Sequence, residues 1–560
     1  MVQDQWFLKF FDNARQQGVT ILGLNELKNF RYNTHSPTIS MSVSSGIDWF
    51  DAEVAISFGD QSVSLQDVKK AIHRGDKFVT LSDGSIGMLP EEWLNKLAKY
   101  MRIGQVKDDK LQVSKLHFSV IDELFEEVDD EALQQELAER KQMLHSFEEI
   151  EQTKLPKKLE ADLREYQSAG YNWLHFLHKF GFGGILADDM GLGKTVQALA
   201  FLLSIRGRKT DPPHLVVAPK TLVFNWQAEA EKFTPSLKVL IHHGHTRQKD
   251  TKGFKNYDII LTTYGTMAQD IDWLKEQPFR YVILDESQHV KNPQSKRYKA
   301  ARLLQAENRL TLTGTPIENH TFDLYAQMNF VNPGFFGSQK HFREQYALPV
   351  DKEQSKERAA ELRQLVKPFL LRRTKEQVEQ ELPDKTEDVL YCEMEKQQRK
   401  VYDAMRNKYR DYVLGKIEEE GIDNSKMYVL EGLTKLRQIC NSPALLPDDE
   451  DYGDESVKAD MLVEHINEKT GGHKLLVFSQ FVEMLKLLEQ RFQDQGVNYA
   501  YLDGSTNNRE EEVARFQEQE DCRVFLISLK AGGTGLNLTA ADYVYVVDPW
   551  WNPAVEHQAI

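Results

Sequence analysis

A glycine-bearing loop at residues 188–195 lies between an apolar run and a helix-like run. It reads Asp-Asp-Met-Gly-Leu-Gly-Lys-Thr. A strand, a loop ending in Gly-Lys-Thr and a helix form the arrangement with which proteins cradle the phosphates of a nucleoside triphosphate. Backbone N–H groups point at the phosphates, Lys194 supplies a positive charge, and the Thr195 hydroxyl can coordinate Mg²⁺. The strict pattern begins with Gly where this chain has Asp188, so the interpretation needs a second, carboxylate site.

Such a site follows at residues 280–288, which form an apolar run ending in Asp285 and Glu286. An Asp at the end of a buried strand can hold Mg²⁺, and a neighbouring Glu can orient or polarise an attacking water. Taken alone, the Gly-Lys-Thr triplet could be an ordinary turn, and the acidic pair a solvated strand end. Together, on separate predicted strands, they predict a domain that hydrolyses ATP or GTP.

Composition sets outer limits on the class of protein. The chain has 560 residues, which suggests about three to four domains. No apolar run approaches the ~18 residues that span a bilayer, and the N-terminus has no basic segment followed by an apolar core. We therefore expect a cytoplasmic protein without a membrane partner. Three widely spaced cysteines (Cys392, Cys440 and Cys522) argue against a disulfide framework or a zinc site.

The net charge of −16 is unusual for a nucleic-acid-binding protein. Any nucleic-acid track must be a local basic surface on an acidic body. Residues 121–149 and 448–455 supply much of the acid. A solvated face or a spacer explains both segments more simply than a specific partner site.

Hydrophobic periodicity divides the chain into two alternating blocks around a helical stretch. Alternation of strand-like and helical runs indicates a parallel sheet with helices on both faces. The first block has strand-like runs at 215–218, 239–241, 259–261 and 281–284, and the second at 475–478, 498–502, 524–527 and 543–547. The N-terminal region mixes short strand-like runs with turns. We predict an α/β protein with two parallel sheets, helices between them and an α+β region in front.

Further motifs lie in order from about residue 160 onward. In the first block they are 163–167 (Leu-Arg-Glu-Tyr-Gln), 188–195, 217–220 with Asn225, Trp226 and Glu229, 258–264, 285–288 and 312–319 (Leu-Thr-Gly-Thr-Pro-Ile-Glu-Asn). In the helical stretch they are 370–375 and 436–441. In the second block they are 477–481, 502–506 with Arg509, 528–538 and 548–553. With these motifs the chain resembles the Swi/Snf-type ATPases, the double-stranded-DNA translocases of helicase superfamily two.

The resemblance implies a domain organisation. Two RecA-like lobes are expected at 156–330 (ATP-binding) and 459–560 (helicase C-terminal), with helical protrusions and a linker at 331–458. Residues 1–155, with motifs at 46–51, 58–60 and 81–87, resemble the accessory region that precedes the motor in many bacterial members. Some of those proteins carry a zinc-binding segment, for which this chain lacks the cysteines.

The resemblance also implies roles for individual residues, with ATP and Mg²⁺ as ligands. Lys194, Asp285 and Glu286 are the expected catalytic residues, and Thr195 and Asp285 the expected Mg²⁺ ligands. The expected ATP-binding residues are Arg164, Gln167, Asp188, Met190, Gly191, Leu192, Gly193, Lys194, Thr195 and Gly535, where Gln167 contacts adenine. The expected coupling residues are Gln288, Thr313, Gly314 and Thr315.

DNA contacts are expected at the carboxyl ends of strands, where ligands of open parallel sheets bind. Small and polar residues there can donate to phosphate oxygens without reading bases. The candidates are Lys220, Thr221 and Thr263 in the first lobe and Ser479, Gln480, Gly504, Ser505, Lys530, Gly532 and Gly533 in the second. Each of these loops, taken alone, could equally be a plain turn or helix cap.

The expected function is ATP-dependent translocation along double-stranded DNA that remodels or displaces DNA-bound protein complexes, with RNA polymerase suggested by some bacterial relatives. Such a protein would associate with the nucleoid in a bacterium. Two alternatives stay open. A strand-separating helicase would carry a Ser-Ala-Thr-type coupling motif where this chain has Leu312 to Pro316. A non-enzymatic, nucleotide-gated binding module would use the acidic and N-terminal segments as its surface.

Two further segments carry expectations. In the family, an Asp-Arg-x-x-Arg-Ile-Gly-Gln segment follows the last motif, and its arginines reach the γ-phosphate. This sequence ends at Ile560 before those arginines, so we expect weak hydrolysis from it, because such arginines contribute roughly 10³- to 10⁵-fold in related systems. His242, His243 and His245 are close in sequence, but strand alternation separates the first two and no neighbouring Cys or acid completes a metal site.

Overall fold

The computed structural model describes Asn33, His35 and residues 37–45, 49–114 and 150–549, except positions 75, 104, 108–109, 208–210, 245–246, 249, 318–319, 379–385, 422–423, 447–451, 507, 533–535 and 537. Within this part of the chain, every helix is too short or too polar to span a bilayer. The predicted domain boundaries after residues 155, 330 and 458 stay predictions.

The described part of the N-terminal region contains an antiparallel sheet, a small hairpin and two helices. Val54, Ile56 and Phe58 are buried while Glu53 and Ala55 are exposed, as the two-residue period of a strand with one covered face requires. The strands are β1 (Pro37–Ser45), β2 (Trp49–Phe58), β3 (Gln61–Val63), β4 (Phe78–Thr80), β5 (Ile86–Met88), β6 (Gln105–Lys107) and β7 (Lys110–Ser114), and the helices are α1 (Leu65–Arg74) and α2 (Glu91–Ile103). The sheet order is β1-β2-β7-β6, with β3 also on β2, and β4 pairs with β5.

The first parallel sheet has seven strands. They are β8 (Gly184–Leu186), β9 (His214–Ala218), β10 (Val239–His242), β11 (Ile259–Thr263), β12 (Pro278–Asp285), β13 (Gln305–Leu312) and β14 (Leu370–Leu371), in the order β10-β11-β9-β12-β13-β8-β14. β8, β9 and β11 are buried along their whole length, as expected for strands covered on both faces. The helices of this lobe are α3 (Glu165–Lys179), α4 (Lys194–Ser204), α5 (Lys220–Phe233), α6 (Tyr264–Leu274) and α7 (Lys296–Leu303).

Residues 322–445 are mostly helical, as predicted. The helices are α8 (Phe322–Val331), α9 (Gln339–Phe342), α10 (Leu348–Asp351), α11 (Lys356–Val366), α12 (Lys375–Val378), α13 (Lys396–Glu420) and α14 (Lys426–Asn441). A π-helical turn (Arg343–Ala347) and 3₁₀ turns (Phe254–Asn256, Ser287–Val290, Lys367–Phe369 and Pro443–Leu445) complete the helical elements. α13 and α14 are the longest pair, and Met405 and Ile439 form a small core between them.

The second parallel sheet has the four strands predicted from the sequence. They are β15 (Lys474–Ser479), β16 (Tyr499–Leu502), β17 (Val524–Ser528) and β18 (Ala541–Val546), in the order β16-β17-β15-β18. Leu475 and Val477 belong to one apolar cluster and Leu476 and Phe478 to another, because successive side chains of β15 point to opposite faces. Its helices are α15 (Val457–Glu468), α16 (Val482–Gln495), α17 (Arg509–Glu518) and α18 (Leu529–Gly532). The predicted α/β fold class is confirmed.

Candidate active site

Three neighbouring strands of the first sheet bring the nucleotide motifs to one edge. β13 lies between β12 and β8, and its Leu312 is in register with Asp285 on one side and Leu186 on the other. The residues that follow these strand ends are the acidic pair, the predicted coupling motif and the phosphate loop. In open parallel sheets this edge is where ligands bind. The strand order therefore gathers residues that lie more than 120 positions apart in sequence.

The phosphate loop depends on two glycines. Gly191 (φ 84°) and Gly193 (φ 75°) lie in the left-handed region, which side chains disfavour. A Cβ at Gly193 would also lie 2.6 Å from the Gln167 amide nitrogen. α4 begins at the next residue, so the loop ends at a helix N-terminus with its free backbone N–H groups.

The Lys194 side chain hydrogen-bonds to the backbone of its own phosphate loop. Its ammonium donates to the carbonyl oxygens of Asp188 (2.7 Å) and Asp189 (3.2 Å). Burial lowers the pKa of Lys194, while the carboxylates of Glu286 and Asp285 oppose this by favouring the charged form. A buried cation next to acidic groups and helix-end N–H donors suits an anionic ligand with an associated metal ion.

Three hydrogen bonds hold Asp285 in place at the end of β12. Its Oδ2 accepts from the Trp226 indole N–H at 2.8 Å, and its Oδ1 accepts from the Glu286 backbone N–H at 2.9 Å. The Tyr264 hydroxyl donates to the Asp285 carbonyl oxygen at 2.7 Å. Burial raises the pKa of Asp285, although the Trp226 hydrogen bond and the Lys194 charge act in the opposite direction. The carboxylate orientation is thus fixed by Trp226 of α5 and the Glu286 backbone, while Tyr264 of α6 fixes the main chain at Asp285.

Glu286 begins a hydrogen-bonded chain that reaches the predicted coupling motif. Its backbone adopts the left-handed conformation (φ 49°), which is rare for a non-glycine residue and is found most often at functional sites. The Gln288 amide donates to Glu286 at 2.8 Å, and the Thr313 hydroxyl donates to the Gln288 amide oxygen at 3.2 Å. The Thr315 N–H then donates to the Thr313 hydroxyl at 3.1 Å. The side chains of Glu286, Gln288 and Thr313 and the backbone N–H of Thr315 form a continuous polar path.

The coupling segment also touches the phosphate loop directly. A Cβ at Gly314 would lie 3.2 Å from the Met190 side chain, which is tighter than ordinary van der Waals contact. Gly314 therefore allows two of the predicted motifs to approach each other closely.

Gln167 and Arg164 lie next to the phosphate loop at the start of α3. The Gln167 amide donates to the Leu192 carbonyl at 3.3 Å and accepts from the Arg164 backbone N–H at 3.0 Å. Leu192 is buried, whereas the Arg164 side chain is exposed. Thr195 lies in the first turn of α4. The predicted ATP-binding residues described by the structure are therefore neighbours, and their individual roles stay predictions.

Asp188 has partners that its predicted ATP-binding role did not anticipate. Its buried carboxylate forms an ion pair with Arg373, whose Nε donates to Oδ1 at 2.9 Å and whose terminal nitrogen contacts Oδ2. The Gln197 amide also donates to Oδ2, at 3.3 Å. Arg373 belongs to the 370–375 motif, but the sequence did not predict its ion pair with Asp188, because the two residues lie 185 positions apart.

A third acid, Glu229, lies beside the site on α5. The Asn225 amide donates to its carboxylate at 2.9 Å. Burial raises the pKa of Glu229, and the negative charge of Asp285 adds to this rise. Asn225, Trp226 and Glu229 belong to one of the family motifs, and the sequence predicted no role for them. The one-turn spacing of Trp226 and Glu229 places both on one face of α5. Of the two, Trp226 hydrogen-bonds Asp285, and Glu229 lies near enough to feel its charge.

The residues present fit a magnesium nucleotide. The edge offers helix-end N–H groups, a buried ammonium, a hydroxyl in the first turn and two adjacent carboxylates, which are the donor types that phosphate and Mg²⁺ require.

Family models match this chain over nearly its whole length. The SNF2-related domain matches residues 166–445, the helicase conserved C-terminal domain residues 457–560, and the bacterial SNF2 helicase associated domain residues 16–156. The chain belongs to the SNF2-related family. The resemblance read from the motifs, including the bacterial accessory region, is confirmed.

Individual relatives agree with the family models. YwqA of Bacillus subtilis is 37% identical over 433 residues (74% of this chain and 46% of the relative). An uncharacterized ATP-dependent helicase of Mycoplasma pneumoniae is 32% identical over 522 residues (91% and 49%). The TATA-binding protein-associated factor MOT1 of Saccharomyces cerevisiae is 33% identical over 477 residues (73% and 26%). The chain spans about half or less of these relatives' length.

Solved structures also match. The Sulfolobus solfataricus SWI2/SNF2 ATPase core in complex with dsDNA is 35% identical, with a TM-score of 0.41, covering 72% of this chain and 85% of that one.

The predicted DNA-facing residues of the first lobe lie at strand and helix ends of this SNF2-related chain. Lys220 is exposed at the start of α5, and Thr221 follows it. Thr263 ends β11, and its hydroxyl accepts from the Thr266 N–H at 3.1 Å, so it caps α6. Its hydroxyl also donates to Thr266, at 3.0 Å. This capping role is sufficient to explain a threonine at position 263. Its role as a DNA contact stays a prediction.

The second lobe shows the same division between structural and exposed positions. Ser479 is buried, and its hydroxyl accepts from the Phe481 N–H at 3.1 Å, while the Gln480 N–H donates to Asp548 at 3.2 Å. Gly504, Ser505 and Lys530 are exposed. A Cβ at Gly532 would lie 2.6 Å from the Phe478 ring, so packing alone requires a glycine there. Gly533 and Gly535 lie outside the described residues, as does the C-terminal segment after residue 549.

The histidine cluster contains a buried ion-pair network. His242 lies 3.0 Å from Asp270, and Arg247 donates to both oxygens of that carboxylate at 2.7 and 2.9 Å. The acid comes from α6, which sequence reasoning did not connect to this strand. Among the described residues, no group of three or more His, Cys, Asp or Glu side chains is arranged to hold a metal ion, and His245 lies outside them.

Proposed function

We propose that this chain is the ATP-binding and ATP-hydrolysing core of a motor that translocates along double-stranded DNA and remodels or displaces DNA-bound protein complexes. The observation that carries the proposal is the hydrogen-bonded path from Glu286 through Gln288 to Thr313 and Thr315, which begins beside Lys194 and Asp285. This path would connect Glu286, the residue proposed to orient the attacking water, to the loop that follows β13.

In this proposal each residue has a chemical task. Lys194 exchanges its two loop carbonyls for phosphate oxygens and brings its positive charge to them. Thr195 and Asp285 would hold Mg²⁺, which when bound neutralises phosphate charge and polarises the phosphoryl group. Glu286 orients a water molecule and accepts its proton at a carboxylate oxygen. Breaking the Gln288 contact on protonation of Glu286 would change the position of Thr313.

Duplex DNA as the track is supported by the exposed polar residues at the strand ends of both sheets. Lys220 in the first lobe and Gly504, Ser505 and Lys530 in the second can approach phosphates without base contacts. Two relatives, an ATP-dependent helicase and a TATA-binding protein-associated factor, support by their names ATP use and action on a DNA-bound protein. RNA polymerase is one DNA-bound complex that such a motor would displace.

The first test measures ATP binding by the full chain with a fluorescent ATP analogue and Mg²⁺. Lys194→Ala should weaken binding at least about 100-fold, since it removes a buried charge from the phosphate site. Lys238→Ala is the matched control, because Lys238 is exposed beside the amino end of β10, at the opposite edge of the sheet. Equal affinity of Lys194→Ala and wild type would contradict the proposal.

The second test separates the classes of motor. Weak ATP hydrolysis that duplex DNA stimulates, together with displacement of a triplex-forming strand and without separation of the duplex strands, is the expected result. Duplex unwinding would instead show that the chain is a strand-separating helicase. Partner binding that survives both Lys194→Ala and Glu286→Gln, with no DNA stimulation in the wild type, would assign a nucleotide-gated binding module.

A further inference from the structure

We propose that Arg373 is a positioning residue for the nucleotide site, which neutralises the Asp188 carboxylate inside the phosphate loop and holds that loop in its binding conformation. The inference rests on the proposed function, because it assumes that the loop binds a polyphosphate. It adds a residue from outside the nucleotide motifs to the determinants of ATP affinity.

The first step is the enclosure of the Asp188 carboxylate. Asp188 is 0% exposed. Its Oδ1 accepts from the backbone N–H of Arg373 at 3.1 Å and from the guanidinium Nε at 2.9 Å, and its Oδ2 contacts the guanidinium terminal nitrogen. A carboxylate buried this fully is stable only when a cation and hydrogen-bond donors satisfy it.

The second step is the enclosure of the guanidinium itself. Beyond Asp188, it donates to the Gln197 amide oxygen at 3.0 Å and to the Tyr166 carbonyl, and it lies 5.4 Å from the centre of the Tyr166 ring. A Cβ at Gly170 would lie 1.9 Å from the Gln197 amide oxygen and 2.8 Å from the guanidinium. α3 therefore carries a glycine where Arg373 and Gln197 meet, and the arginine occupies a closely fitted position.

The third step is the backbone around the pair. The Ala187 N–H donates to the Leu371 carbonyl at 2.7 Å, and the Asp189 N–H to the Arg373 carbonyl at 2.9 Å. The Lys375 N–H donates to the Asp189 carboxylate at 3.1 Å. Residues 371–375 thus lie along the phosphate loop from its first residue, and β14 extends the same pairing into the sheet.

The fourth step is electrostatic. A phosphate loop of strict pattern has glycine where this chain has Asp188, so an unpaired carboxylate here would repel a polyphosphate. Such repulsion is strong because burial reduces solvent screening. Arg373 cancels this charge locally. Removing the arginine alone should therefore weaken ATP binding, and removing the Asp188 charge alone should leave an excess positive charge and strengthen it.

The test measures the affinity of the full chain for ATP, ADP and adenosine. Arg373→Gln should weaken ATP binding about tenfold, ADP binding less and adenosine binding little, because the effect scales with ligand charge. Asp188→Asn, which keeps the side-chain shape, should strengthen ATP binding about threefold. The double variant should return to within about threefold of wild type. Arg372→Gln, at the exposed neighbouring arginine, is the matched control and should change nothing.

Several outcomes would overturn the inference. It is wrong if Arg373→Gln binds ATP like the wild type, if Asp188→Asn and Arg373→Gln weaken ATP binding alike, or if adenosine affinity falls as much as ATP affinity. If Arg373→Gln fails to fold, Asp188→Asn alone tests the inference: stronger ATP binding supports it, and weaker or unchanged binding contradicts it. A folded wild type that binds adenosine but gains nothing from the phosphates of ATP would contradict the proposed function instead.

Discussion

The carboxyl edges of the two parallel sheets differ in how their buried acids are satisfied. At the first sheet, Asp188 pairs with Arg373 from 185 residues away, and Asp285 bonds Trp226 from 59 residues away. At the second sheet, Asp503 accepts from the backbone N–H groups of Ser505 (2.7 Å) and Thr506 (3.1 Å) in its own turn. The first edge is therefore built by tertiary contacts to its carboxylates, and much of the second by local turns.

Under the proposed function, this difference matches two kinds of task. Phosphoryl chemistry needs charges held in water-poor surroundings, where electrostatic interactions are strong. Contacts to a DNA backbone need donors that reach solvent, as the exposed Ser505 and Lys530 do. The sheets share a topology, and the placement of charge at their strand ends distinguishes them.

The largest effect is expected at the first edge, from Glu286→Gln. Loss of the proton acceptor should lower the single-turnover rate of ATP hydrolysis about 10²- to 10⁴-fold, while ATP binding is kept. Rapid-quench measurement of phosphate release tests this. Glu231→Gln, at an exposed position on α5, serves as the control. A Glu286→Gln rate within a few-fold of wild type would remove the chemical distinction between the two edges.

The next effect is expected at the second edge, from Asp548→Asn. Burial raises the pKa of Asp548 to about 6, although the Lys458 ammonium acts against the rise. An acid with a raised folded-state pKa stabilises the folded state below its unfolded pKa, and this stabilisation is lost as pH rises through about 6. Asp548→Asn should therefore stabilise the second sheet at pH 8 by up to about 3 kcal/mol, with a smaller gain at pH 5.

Urea unfolding followed by hydrogen exchange in peptides from β15 and β17 reports on this sheet specifically. Asp503→Asn is a useful comparison, since hydrogen bonds in its turn hold the pKa of Asp503 below its ordinary value and the substitution should destabilise instead. A gain from Asp548→Asn that is independent of pH would show that packing, and not the charge, is responsible.

A smaller effect is expected from Trp226→Phe. This change keeps the ring in the core and removes the 2.8 Å hydrogen bond to Asp285. If Asp285 holds Mg²⁺ as proposed, loss of the partner that orients its carboxylate should raise the half-saturating Mg²⁺ concentration for ATP hydrolysis about tenfold. A Mg²⁺ titration at saturating ATP measures it. Trp273→Phe, in the neighbouring α6, should leave the Mg²⁺ dependence unchanged, and an equal shift in both variants would contradict the prediction.

The smallest effect is expected from Lys530→Ala. Removal of one exposed cation should weaken duplex DNA binding a few-fold and lower the salt-dependence slope by about one, uniformly across DNA sequences. Fluorescence anisotropy at several salt concentrations tests this. Lys486→Ala, at an exposed site on α16, is the control. Sequence-dependent losses would indicate base contacts at the second edge.

The sequence predicted the local parts of both edges well. Apolar runs located β8 to β12 and all four strands of the second sheet. The signal is plainest for β8, β9 and β11, because strands covered on both faces must be apolar throughout. β13 was missed since its first half, Gln305 to Arg309, is polar, and β14 was missed because it has two residues. Pairing to established neighbours, and not composition, makes these two segments strands.

The candidate site followed the same division. The phosphate loop and the acidic pair were recognised from spacing, and Gly314 and Gln288 from a motif. The role of Arg373 and the orienting role of Trp226 could not be derived, because each acts on a residue that only the folded chain places nearby.

The amino-acid sequence by itself determined the family, the two parallel sheets and the identity of the groups at the nucleotide edge, because these depend on short patterns of apolar, glycine and charged residues. Only the tertiary structure decided which charges pair, that Asp188 is neutralised by Arg373, and that Glu286 is linked to Thr315 through Gln288 and Thr313. The physical reason is that electrostatic pairing and hydrogen bonding act over a few ångströms in space, whatever the distance along the chain.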